Sequence, residues 1–267
     1  MSSYQFLNIT SLAEGVVGVE LARPPANAVH RDMYIEIRQA FGNVDQLGQD
    51  VRAIVLSGQG KHFCAGNDLD EFATMSPDNA AERMWRVREA FFSISGCSVP
   101  VIGAVHGAAL GTGLALAGSC DFVVAARSSR FGLPELTVGV MGGARHLARM
   151  APQPLVRRMY FTGQPETAEA FAAAGGSIMV CDDDQLMAQA CRLARRIASF
   201  SPTAVRVSKR VLDRIEWMPL TEGYEFEQNA TVRMSGHPDA KEALAAFREQ
   251  RPPGYLPRDD HRHWFGV

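Results

Sequence analysis

VIGAVHGAALGTGLALAGSC, residues 101–120, contains no Asp, Glu, Lys or Arg. Its length would let a single helix cross a bilayer, and Gly107 and Gly111 stand at GxxxG spacing. Five glycines, His106, Thr112 and Ser119 interrupt it, however, and Pro100 leads into a β-type run. The stretch is better explained as a strand from Pro100 to Val105, a turn of small residues, and a short buried helix from Gly111 to Gly118. Gly111-Thr112-Gly113 also opens like a dinucleotide fingerprint, but the third glycine of that pattern falls on Leu116.

Outward from this stretch, strand and helix patterns alternate. On the N-terminal side, Gly15–Leu21 and Val51–Leu56 read as strands. Arg31–Leu47 and Asn79–Ile94 read as amphipathic helices, and Asp68 is placed to cap a short helix. On the C-terminal side, Asp121–Ala126 is a strand and Arg130–Glu135 is extended. Beyond Gly142 helices follow one another: Ala144–Met150, Pro154–Phe161, Thr167–Ala174, Asp184–Ser199, Thr203–Ile215, Thr221–Met234 and Pro238–Gln250. Ser201-Pro202 supplies an N-cap and a first-turn proline. The pattern predicts one α/β domain carrying a helical C-terminal region.

Composition narrows the function. A chain of 267 residues with formal net charge -2 and no basic stretch is a poor partner for nucleic acid. Five scattered cysteines, odd in number and without a CxxC pair, argue against a disulfide framework or a metal site and for a reducing, cytoplasmic compartment. The start, Met1-Ser2-Ser3-Tyr4-Gln5, lacks the basic and apolar regions of a signal peptide. No membrane association is expected. The acidic run Asp182–Asp184 and the tail from Arg258 to His263 read as solvated surface.

Three segments have the makings of a site. Phe63-Cys64-Ala65-Gly66-Asn67-Asp68-Leu69 joins a strand to a helix, and its small residues let a ligand approach the backbone. His106-Gly107-Ala108-Ala109-Leu110-Gly111-Thr112-Gly113 has the same layout. Backbone N–H groups at two helix starts are unsatisfied donors that together can form an oxyanion hole. Glu135, in Phe131-Gly132-Leu133-Pro134-Glu135, is a lone carboxylate in an apolar extended segment and a candidate general base. Either loop alone is equally well an ordinary turn, and a lone Glu such as Glu135 is more commonly a surface residue.

In this order and spacing the three segments resemble the crotonase (enoyl-CoA hydratase/isomerase) family. Leu21-Ala22-Arg23-Pro24 with Asn27-Ala28-Val29, Cys120-Asp121, Ser201-Pro202-Thr203-Ala204 with Lys209, and Ala245–Arg251 extend the likeness from residue 5 to about 253. The resemblance implies a crotonase-like spiral of ββα units over residues 1–200, with a helical trimerisation region over 201–267. Trimers or hexamers follow from it. So does an acyl-CoA thioester substrate whose coenzyme A is part of the substrate, with no separate cofactor. By position it places the oxyanion-hole N–H groups on Asn67 and Thr112, where the family usually has Ala and Gly, and the base on Glu135. Coenzyme A contacts fall on Arg23, Ala26, Ala28, Ala65, Asp68 and Leu69.

Two departures bear on the reaction. Hydratases of the family carry a second Glu one helical turn past the second N–H donor, and this chain has Ala115 there. The family's Pro-Gly-x-Gly-Gly-Thr after the retained Glu is replaced by the shorter Met141-Gly142-Gly143-Ala144-Arg145, which alters a wall of the acyl pocket. A single base suffices to shift a double bond, so an enoyl-CoA isomerase is expected first. A hydratase or dehydratase using an unidentified second group comes second (Asp68 and Glu71 are candidates that fit capping and surface roles better), an inactive acyl-CoA-binding scaffold third, and a hydrolase with Cys64 or a Ser as nucleophile last.

Overall fold

The computed structural model describes residues 4–258. The chain opens with β1 (Leu7–Ala13) and β2 (Val16–Leu21), then α1 (Arg31–Gly42) and β3 (Ala53–Gly58). A short α2 (Leu69–Ala73) precedes the long α3 (Pro77–Ser95). The stretch around residue 110 forms β4 (Val101–Val105), β5 (Ala108–Leu110) and α4 (Thr112–Ser119), followed by β6 (Phe122–Ala126) and β7 (Arg130–Gly132). Next come α5 (Ala144–Met150), α6 (Gln153–Thr162), β8 (Glu166–Thr167), α7 (Ala168–Ala173) and β9 (Met179–Cys181). Four helices close the described chain: α8 (Leu186–Ala198), α9 (Pro202–Ile215), α10 (Leu220–Met234) and α11 (Pro238–Glu249).

The main sheet runs β1-β2-β3-β4-β6-β9, antiparallel at β1/β2 and parallel elsewhere. Its central strands are near-continuous apolar runs because both faces are covered. Ile54, Leu56, Val101 and Val105 join the core shared with α1, α3 and α4. Ala53, Val55, Ile102 and Ala104 face the other way, onto Leu186, Ala190, Ala194 and Ala198 of α8. A small second sheet, β5-β7-β8, stands where the turn after β4 meets the segment before Glu135.

Several boundaries differ from the sequence expectation. β1 and β9 had no clear signal, and β9 returns the chain to the sheet inside a region read as all helix. The helix expected over Arg31–Leu47 stops at Gly42 and gives way to a 3-10 turn at Val44–Gln46. The run Arg130–Glu135 is extended only to Gly132, and Glu135 opens a 3-10 turn, Glu135–Val138. Asp182 and Asp183 are also not merely solvated. Asp182 pairs with Arg127 at 3.0 Å, and Asp183 accepts from the Ser128 N–H at 3.0 Å, fixing β9 to the turn after β6. Of the tail, only Arg258 lies within the described residues, and it pairs with Asp45.

The C-terminal helices are tied back by buried cations. Lys209 on α9 pairs with Asp121 at 2.9 Å and Asp213 at 2.8 Å, and donates to the carbonyl of Ser95. Arg206 donates to the Val51 carbonyl and the Ser98 hydroxyl. No helix among the described residues is long and apolar enough to cross a membrane.

Candidate active site

The two small-residue loops lie side by side. The Cys64 N–H donates to the Ala108 carbonyl and the Leu110 N–H to the Cys64 carbonyl, each at 3.0 Å. Gly113 must be glycine for this approach, since a Cβ there would stand 1.9 Å from the Cys64 carbonyl oxygen. On its other side the first loop pairs with residues 26–29: Ala65 N–H to Ala26 carbonyl, Val29 N–H to Gly66 carbonyl and Asp68 N–H to Val29 carbonyl, at 2.9 to 3.0 Å.

Asn67 and Thr112 are therefore neighbours in space. Among the described residues their backbone N–H groups have no acceptor. The two N–H groups lack an acceptor for different reasons, and the one at Asn67 differs from the sequence expectation. Thr112 is the first residue of α4, whose N-cap Gly111 has φ 54° and no side chain to cap the first turn. Asn67 is not at a helix start. It sits in a β-bridge with Val29, ahead of the cap Asp68 and a helix of only five residues.

Tyr34 of α1 joins them. Its hydroxyl donates to Asn67 Oδ1 at 2.6 Å and lies 3.0 Å from Thr112 Oγ1. The side chain is buried, with its ring edge-on to Phe91, and burial holds the phenol proton far above its usual range. A tyrosine at an apolar helical position looks like core in the sequence, so this residue was not among the candidates.

Glu135 reaches the same place from β7. Its Oε1 would be 3.1 Å from a Cβ on Gly111 and 3.6 Å from one on Gly143, so the carboxylate nestles between two glycines. Oε2 is buried with no partner among the described residues. Desolvation raises the Glu135 pKa above its ordinary value, as expected for a carboxylate with few donors around it. One turn into α4, Ala115 is a buried methyl, 1% exposed.

The other carboxylates of the loop are already engaged. Asp68 caps α2 through the Glu71 N–H at 2.9 Å and pairs with Arg23 at 2.6 Å, and these contacts hold its pKa below the usual range. Glu71 accepts from the Arg31 N–H at 2.5 Å and faces Arg83 at 3.6 Å. Cys64 is buried and its thiol is pushed up to about 12 by desolvation, which leaves little thiolate to act as a nucleophile. No group of three or more His, Cys, Asp or Glu among the described residues is placed to hold a metal ion.

The remaining sequence candidates gather on one flank. Arg23 bridges Asp68 and the Ala28 carbonyl, the latter at 2.7 Å, and so joins residues 26–28 to the loop of Ala65, Asp68 and Leu69. Ala26, Ala28 and Ala65 are half-buried, whereas Leu69 is largely exposed. Asn27, which sequence reasoning passed over as a binding residue, holds this flank together. Its Nδ2 donates to the carbonyls of Gln59, His62 and Phe63, and its Oδ1 accepts from the Arg23 N–H.

Residues 11–258 match the family described as Enoyl-CoA hydratase/isomerase. The chain belongs to that family. A (7aS)-7a-methyl-1,5-dioxo-2,3,5,6,7,7a-hexahydro-1H-indene-carboxyl-CoA hydrolase of Mycobacterium tuberculosis is 34% identical, over 89% of this chain and 96% of its own. A short-chain-enoyl-CoA hydratase of Clostridium acetobutylicum is 32% identical, over 91% and 95%. The solved enoyl-CoA hydratase of Bacillus anthracis superposes with TM-score 0.89 at 28% identity, covering 95% of this chain and all of that one. The α/β architecture is thus the crotonase fold with C-terminal helices, and the chain is an acyl-CoA enzyme of the enoyl-CoA hydratase/isomerase family.

Proposed function

We propose that this enzyme stabilises a thioester enolate and uses Glu135 as its single base, shifting a double bond in an enoyl-CoA rather than adding water to it. The observation that carries this is a half-buried carboxylate whose Oε2 has no partner among the described residues, together with a methyl rather than a second carboxylate at Ala115. Asp68 and Glu71, the other candidates for a second acid–base group, are committed to a cap and to Arg31 and Arg83.

In this scheme the thioester carbonyl lies against the N–H groups of Asn67 and Thr112. Removing a proton from C2 of a 3-enoyl-CoA moves negative charge onto that oxygen. Each preorganised donor is worth roughly 2.7–4 kcal/mol to the enolate. Glu135 holds the proton, its neutral form favoured by burial, and returns it to C4 while the double bond settles between C2 and C3. Arg23, Ala26, Ala28, Ala65, Asp68 and Leu69 line the side on which coenzyme A binds. Adding water calls for a second carboxylate to hold and activate it, and position 115 offers none. We place the enzyme in the cytoplasm, one of the reducing compartments with which five unpaired cysteines are consistent.

A second reaction rests on the relatives named as hydrolases of a bicyclic dione acyl-CoA, at 34% and 30% identity. There Glu135 would activate water against a ring ketone, with the same two N–H groups holding the thioester enolate that leaves.

The test is product analysis on 3-enoyl-CoA, 2-enoyl-CoA and cyclic β-keto acyl-CoA substrates, with chromatography to separate double-bond isomers. Isomerisation is expected to exceed hydration, and Glu135→Gln should lose both. Fast hydration by the wild type that survives Glu135→Gln would show that both the base and the reaction are misassigned. Ring opening faster than either selects the hydrolase.

A further inference from the structure

The side chains at 67 and 112 are unusual for the resemblance drawn from the sequence, which has Ala and Gly at these positions. With those small residues a buried hydroxyl nearby would have nothing to hold. In this chain it holds both. The amide oxygen of Asn67 can only accept, so the single phenol proton of Tyr34 is spent there, at 2.6 Å. The contact with Thr112 Oγ1 at 3.0 Å must then run from the Thr112 hydroxyl to the phenol oxygen. Thr112, Tyr34 and Asn67 form one directional chain of hydrogen bonds. It spans the gap between α4 and the β-bridged loop and is anchored in α1, whose Met33 and Ile37 are fully buried.

We propose that Tyr34 is a positioning residue, whose hydroxyl fixes the backbone N–H groups of Asn67 and Thr112 relative to one another through their side chains. This rests on the oxyanion role given to those N–H groups above. The two donors belong to segments with different supports, a helix start and a β-bridge; backbone bonds lace those segments at Cys64, Ala108 and Leu110, and the Tyr34 hydroxyl is the tie at the donor residues themselves. A preorganised hole needs that separation fixed before charge develops. The phenol touches no reacting atom in this scheme. Burial keeps it protonated, so it stays a fixed strut rather than a titrating group.

The test reads the polarisation of a bound carbonyl. A 2,4-dienoyl-CoA bound to the Glu135→Gln enzyme does not turn over, and hydrogen bonds to its carbonyl move its absorption to longer wavelength. Tyr34→Phe in that background is expected to cut the shift by at least half, with Kd changed less than about threefold. A full shift in the presence of Tyr34→Phe overturns the proposal and leaves the hole intact. Absence of any shift in Glu135→Gln itself overturns the oxyanion role, and the proposal with it.

Turnover supplies the second arm. Tyr34→Phe in the otherwise wild-type enzyme should lower kcat about tenfold with KM within about threefold. In an Asn67→Ala/Thr112→Gly background, where the hydroxyl has nothing to hold, the same change should alter kcat less than about twofold. Equal losses in both backgrounds would mean that the phenol serves packing alone. Should the double variant not fold, Thr112→Val takes its place. It removes one link, and adding Tyr34→Phe to it should cost less than Tyr34→Phe costs alone. Full additivity contradicts the strut.

Discussion

At Glu135 the local chemistry is set by what is missing around it. Two glycines flank Oε1, and Oε2 has no donor among the described residues. Its folded pKa therefore lies above the unfolded value. The penalty for keeping it charged is absent below the unfolded pKa and fully present above the folded one. Two outcomes follow. The acidic limb of kcat/KM against pH should have its midpoint above 4.5, the ordinary glutamate value. Glu135→Gln should melt no lower than wild type at about pH 7, with any gain fading as pH falls through that window. A midpoint at or below 4.5, or a variant that melts well below wild type, would contradict the burial read from the structure. Glu135 was legible in the sequence because a lone carboxylate in an apolar extended run is rare. Tyr34 was not, because its partners stand 33 and 78 residues away and only the fold brings its hydroxyl to them.

At the scale of elements the decisive piece is α4. Gly111 at its N-cap contributes no side chain, and the helix dipole adds to a first turn left without acceptors. If the Thr112 N–H is the donor, Thr112→Pro, which deletes it, should reduce turnover by at least about a hundredfold. Thr112→Gly keeps the N–H and should retain at least about a tenth of turnover, losing only the side-chain link. Steady-state kinetics on both, with circular dichroism to check folding, decides it, and equal losses rule out a backbone role. Apart from the C-terminal end of α1, helices were readable from the sequence to within a few residues because caps and apolar periodicity mark them. Ser201 accepts from the Ala204 N–H at 3.2 Å, as its place before Pro202 predicted. The missed strands are edge strands. β1 buries only Leu7 fully among its residues, and β9 has three residues. Edge strands are held by backbone pairing, which leaves little trace in side-chain pattern. Asn67 was misplaced for a related reason: its bridge to Val29 is a backbone contact across 38 positions, so a helix start was the only local explanation available.

For the whole molecule, the C-terminal helices leave several large apolar side chains exposed. Leu220, Phe247 and Val232 are 88%, 83% and 70% exposed. A groove of about 830 Å³ beside α9, lined by Ile197, Phe200, Val205, Leu212 and Tyr255, lies apart from Glu135. Large exposed apolar area of this kind marks association surfaces. On this surface and the family likeness we propose assembly into trimers or hexamers. Light scattering should give three or six times the 29.1 kDa chain mass, and a monomer at micromolar concentration would contradict it. The α/β core followed by a helical C-terminal region was legible in the order of strand and helix patterns. The packing of α8 across the far face of the sheet was not, because its alanines at 190, 194 and 198 show a stripe without naming the surface it covers.

The single-base mechanism is tested most directly by the fate of one proton. A 3-enoyl-CoA is converted by the wild-type enzyme in D2O in a single turnover, and the 2-enoyl-CoA product is weighed by mass spectrometry. If Glu135 alone takes the proton from C2 and returns it to C4, with its Oε2 shielded from solvent, a measurable share of product carries no deuterium. Product in which every molecule has gained a solvent deuterium, from the first turnover onward, would contradict transfer by one half-buried carboxylate.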